Sequence, residues 1–87
     1  MGTPDANVLT PGGERLAQQY ALAMDLVDRC QRAAEEGDWV LLSDQAGALS
    51  TAADELSSAA AFVTTEAMPT SPTFMLAAAE RYASPEG

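Results

Sequence analysis

The sequence predicts an all-α fold: an antiparallel helical hairpin followed by a short third helix, assembling as a helical bundle. Three observations carry that expectation. Apolar residues recur at spacings of three and four through two long segments, the period of a helix that buries one face. Punctuation that starts or stops helices falls at the segment ends, in Thr10-Pro11, Gly37-Asp38 and Ser71-Pro72. Alanine, the residue with the highest helix propensity, dominates the central segments. The expected helices run from about 11–36, 39–67 and 72–83. Residues 1–10 are expected to form a flexible N-terminal arm, 11–84 a single helical domain and 85–87 a flexible C-terminus.

The first helix opens with Thr10 as N-cap and Pro11 at the first helical position, where its missing N–H costs nothing. Gly12 and Gly13 read as a weak, flexible first turn. Leu16, Tyr20, Ala23, Val27, Cys30 and Ala34 then form a candidate seam, with Leu22, Leu26 and Met24 widening the apolar arc to about 200°. The opposite side collects Glu14, Gln18, Asp25, Asp28, Arg32 and Glu36. Asp25 with Arg29 and Asp28 with Arg32 are i,i+4 pairs in the favourable order, each worth only a few tenths of a kcal/mol.

Gly37 is suited to the left-handed conformation that ends a helix, and Asp38 to capping the next one. So short a connection makes the two helices antiparallel neighbours. In the second helix Leu42, Leu49, Leu56 and Val63 fall seven apart, with Ala46, Ala53, Ala60 and Ala67 between them. This reads as a seam of large and small side chains made for a partner helix. Phe62 falls outside that seam and invites a cover. Pro69 is expected to end the helix, and Pro72 to begin a third that folds back over the hairpin, placing Phe74, Met75, Ala78, Ala79 and Tyr82 on one side.

Composition narrows the function. The chain has 87 residues, 47% of them hydrophobic, and a net charge of -9. All four basic residues are arginines, too few and too scattered for direct nucleic-acid binding. No apolar run reaches the ~20 residues of a membrane span. Met1 to Thr10 lacks a basic residue and an apolar run, so no signal peptide is expected and the expected location is cytoplasmic. One cysteine excludes an intrachain disulfide.

The chain contains no histidine, which removes the commonest general base and metal ligand. Cys30 lies in the seam with no basic residue on its face, and reads as a small buried hydrophobe. The carboxylates point outward in the helical pattern and form no calcium-loop series. No enzyme activity, cofactor or metal is expected. Trp39, at the hairpin tip, is placed either to anchor a partner or to lie on the end of the seam.

Two resemblances add to this reading. Tyr20 to Leu56, with Glu35-Glu36-Gly37-Asp38-Trp39 between heptad helices, resembles the hairpin of FliT-type flagellar chaperones, which implies binding of export substrates and regulators. The hairpin with Gly37 and Trp39 in its turn, followed by Tyr82-Ala-Ser-Pro-Glu86, is similar to secreted WXG100-type proteins. That family carries Trp-x-Gly in the turn, whereas here the order is Gly37-Asp38-Trp39.

The expected function is therefore a non-catalytic, acidic helical module for protein–protein interaction, acting as adaptor, chaperone or inhibitor and self-associating as a homodimer. Candidate partner-binding residues are Leu22, Leu26, Trp39, Leu41, Phe62, Phe74 and Tyr82. One alternative is an acidic mimic of nucleic acid that blocks a basic protein through Glu14, Asp25, Asp28, Asp44 and Glu55. Another is a WXG100-like secreted hairpin. The uncovered apolar surface is expected around Leu22, Leu26, Leu41 and Ala52.

Overall fold

The computed structural model describes residues 9–67 and 70–83. The sequence-predicted arm (bar Leu9 and Thr10), the terminator Pro69, and the C-terminal Pro85 and Glu86 lie outside the described residues. Among the described residues three helices make up the fold: α1 (Pro11–Glu36), α2 (Trp39–Val63) and α3 (Pro72–Ala83). α1 packs on α2 along one side and on α3 along another, while α2 and α3 barely touch. The principal extents are 56 × 27 × 14 Å. Three helices packed as a triangle would measure only about 14 Å in both short directions. The 27 Å width instead fits a single row with α1 in the middle.

The caps follow the sequence signals. Thr10 has extended backbone and its hydroxyl accepts from the Gly13 N–H at 2.9 Å. Gly37 takes φ 72°, and its N–H donates toward the carbonyls ending α1. Asp38 accepts from the Leu41 N–H at 3.1 Å. Ser71 caps α3, its hydroxyl accepting from Phe74 N–H and its carbonyl from Met75 N–H.

α2 ends at Val63, earlier than expected, because Thr64 and Thr65 turn their hydroxyls back onto Ala61 and Phe62 carbonyls at 2.6 and 2.7 Å. Backbone bonds from Thr65 to Phe62 and from Glu66 to Val63 span three residues in place of four and tighten this end. The tightened turn carries Glu66 to the start of α1. There its carboxylate accepts from the Thr10 hydroxyl at 2.6 Å and the Gly12 N–H at 3.1 Å, while Thr70 bonds Thr10 at 2.7 Å. A side chain from the end of α2 thus satisfies free donors at the positive end of α1.

That clasp changes the meaning of Gly12 and Gly13. Both are buried, and they are an approach surface rather than a loose start. A Cβ on Gly12 would collide with the Glu66 carboxylate, and one on Gly13 would lie 2.5 Å from Thr70 Cγ2. Gly47, in the middle of α2, faces open space. The same substitution should therefore have opposite signs at the two sites. Gly13→Ala is expected to cost about 1–2 kcal/mol, the clash outweighing the gain in helix propensity. Gly47→Ala should add about 0.5–1 kcal/mol. Thermal melts followed by circular dichroism check both.

The seams are rotated from those expected. α1 meets α2 through Leu16, Gln19, Ala23, Leu26, Cys30 and Ala33, while Val27 and Ala34 are exposed. On α2 the leucines alternate with Gln45, Ala52 and Ala59, whereas Ala46, Ala53, Ala60 and Ala67 are exposed. The rotation is about 40–50° on each helix. It places alanines where the backbones come closest and moves the leucines to the flanks. Gln19 is the cost of this register, since its Oε1 is buried without a hydrogen-bond partner. The remaining contact joins Ala17 and Ala21 of α1 to Ala78 and Ala79 of α3, with Leu9, Tyr20 and Met75 packed against them. α3 covers α1 and not Phe62, which stays exposed beside Gly12.

Candidate functional site: an open apolar face

A row of three helices has two broad faces, and they differ in chemistry. On one, Tyr20, Met24 and Val27 form a ridge along α1. A shallow groove between α1 and α2 is lined by Tyr20, Ala23, Met24, Val27 and Leu56. A second, between α1 and α3, is lined by Tyr20, Met24, Leu76 and Ala79. Met24, Val27 and Leu76 are each close to half exposed. Asp28 and Glu80 are the charged residues bordering the two grooves. The other face carries Arg15 paired with Glu55 at 3.5 Å and Arg29 paired with Asp25 at 3.0 Å.

The core behind these faces explains why so much apolar surface remains outside. Among the described residues, the buried apolar set is alanine apart from Leu26, and no large side chain is fully buried. Alanine gives close helix contact but little buried area, so the bulkier side chains remain on the surface.

The candidate residues divide accordingly. Leu26 is 8% exposed and Ala52 3%, so neither offers a surface: both lie in the α1–α2 seam. Leu22 and Leu41 are exposed, each bordering a groove lined by Asp25 and Arg29. Phe74 is exposed on α3. Tyr82 is half exposed, and its hydroxyl donates to Glu14 at 2.9 Å and accepts from Gln18 at 3.2 Å, fastening the end of α3 to α1. Trp39 is 65% exposed and Val40 84%, so Trp39 does not lie down on the seam. Around this tip, Glu35 and Glu36 occupy the last turn of α1 with no basic residue there, against the helix dipole. The heptad spacing places Tyr20 and Val27 in a seam and does not reveal them, with Met24, as surface; Leu56 does lie in the seam and also lines a groove. The excess arc around Met24 was the available signal.

Most of the candidate acidic residues are engaged by neighbours. Asp25 and Asp28 pair with Arg29 and Arg32, the i,i+4 pairs expected from sequence. Glu55 pairs with Arg15 and Glu14 binds Tyr82, leaving Asp44 at the far end of the hairpin. Cys30 is half-buried in the α1–α2 seam. Among the described residues, no three Asp, Glu or Cys side chains gather as a metal-holding group, and no helix is long and apolar enough to cross a membrane. Compared with protein-family models, curated proteins and solved structures, the chain matches none.

Proposed function

We propose that this protein is a non-catalytic helical module for protein–protein interaction, of the adaptor, chaperone or inhibitor kind. The observation that carries this reading is the open face, where Tyr20, Met24, Val27, Leu56 and Leu76 line adjoining grooves. A contiguous apolar surface bordered by polar residues is the usual mark of an interaction site. Trp39 and Val40 give the hairpin tip a second uncovered apolar point, suited to anchoring a partner. The acidic-mimic alternative has less support, because its carboxylates are divided among separate pairs. The WXG100-like alternative needs a free Tyr82 together with Glu86, and the Tyr82 hydroxyl is engaged by Glu14 and Gln18.

A photo-crosslinking amino acid placed at Met24 tests the proposal in the cell of origin. Discrete protein adducts should form there and be much weaker from Leu22, on the opposite side of α1. Equal yields at the two positions, or none at Met24, would count against the open face as the working surface.

A further inference from the structure

We infer that the occupant of the open face is a second copy of this chain, docked about a two-fold axis passing close to Met24. The inference rests on the interaction reading above and names the partner.

Shape is the first argument. A two-fold interface uses the same patch on both subunits, so that patch must complement itself. The face has a central ridge, Tyr20–Met24–Val27, with a groove on each side. The ridge of one copy can enter a groove of the other while its own groove receives the partner's ridge, as packed helices do. Turning the two faces together converts two single rows into a two-layer helical assembly, the arrangement by which amphipathic elements bury their apolar sides.

Area and charge agree. The row is 27 Å wide. With the length of α1 from Leu16 to Gln31, about 24 Å, that gives roughly 650 Å² per copy, within the range of about 600–1,000 Å² that a stable interface contributes from each partner. A net charge of -9 would oppose pairing of like chains if it were spread evenly. Here the middle of the face is uncharged: Asp28 and Glu80 lie at its borders, and Asp28 is already paired with Arg32. The alanine core supplies a need for the contact, since small domains with thin cores commonly depend on oligomerisation.

Sedimentation of the intact chain at micromolar concentration is expected to give a particle of twice the 9.1 kDa chain mass. Added NaCl should tighten it, by screening repulsion between two acidic chains. A basic partner on the same face would be weakened by salt instead. Met24→Glu should weaken self-association at least tenfold, while Leu22→Glu leaves it unchanged.

Because Met24→Glu can also unfold an obligate dimer, an oxidative trap provides a second readout. On a Cys30→Ala background, Met24→Cys should form a disulfide-linked dimer with diamide and Leu22→Cys should not. A folded wild-type monomer, or equal trapping at the two positions, overturns the inference. If such a monomer still gives a Met24 photo-adduct with another protein, the second copy fails and the interaction module stands. Absence of any adduct removes both.

Discussion

Ala59→Leu is expected to destabilise the fold by about 2–3 kcal/mol, whereas Ala60→Leu, one residue further on, should change it by less than about 0.5 kcal/mol. Ala59 is 1% exposed and lies in the α1–α2 seam, where the two helices come together through small side chains. Three added carbons there have no room, so they must push the helices apart along their length or adopt strained rotamers. Ala60 is exposed. For a domain of this size each kcal/mol moves the melting temperature by roughly 4–8 °C. The two variants should therefore differ by more than 6 °C in a melt. Because the heptad spacing of Leu42, Leu49 and Leu56 puts Ala60 in the seam and Ala59 outside it, the same pair of substitutions decides between the two registers. A larger loss at Ala60 would restore the first register and remove the rotation that opens the Tyr20–Met24–Val27 ridge.

Glu66→Ala should cost about 2–3 kcal/mol, although Glu66 is neither in the core nor in a regular helix. Its carboxylate accepts from the Thr10 hydroxyl and the Gly12 N–H. Hydrogen bonds to a charged group are worth about 1.5–3 kcal/mol, and an acidic group at a helix N-terminus adds about 0.3–1 kcal/mol. Glu66→Gln should retain about half, since its amide oxygen can still accept from one of the two donors. The clasp also predicts coupling. In a double-mutant cycle, Glu66→Ala and Thr10→Val should be non-additive by at least about 1 kcal/mol in chemical denaturation. Strict additivity would mean that the carboxylate acts through the general charge of the region and not through these bonds.

The fold was largely legible because its signals are local. Thr10, Gly37, Asp38 and Ser71 each stop or start a helix through bonds within a few residues, and those bonds form as their chemistry dictates. The Asp25–Arg29 and Asp28–Arg32 pairs were legible for the same reason. Rotation about the helix axes was not, because both long helices have apolar arcs wide enough for more than one register. In α1, Tyr20 and Val27 fit a seam by spacing as well as Gln19 and Leu26 do. What separates them is the close approach allowed by alanine and the demand of α3 for Ala17 and Ala21, which is information about other parts of the chain.

The face inherits that difficulty. Leu22 and Leu41 are exposed, as the wide apolar arcs predict, whereas Leu26 and Ala52, predicted to share that surface, are buried. Gly12, Gly13 and Glu66 show the limit most sharply. Nothing within the first helix explains two consecutive glycines at its start. The explanation is a carboxylate 54 residues away from Gly12 and the Thr70 side chain packed on Gly13.

That separation gives the molecule a direction in time. The Gly37 end of the hairpin is closed by neighbours in sequence, so it can form early at little entropic cost. The Gly12–Glu66 end unites the chain only after both long helices exist. The hairpin is therefore expected to zip from its Trp39 tip toward the clasp, with α3, which follows the clasp in sequence, docking beside the completed start of α1. The groove edge beside α3 is thus expected to exist only once both long helices are paired, so the open face is a late product of folding whereas the Trp39 tip is an early one.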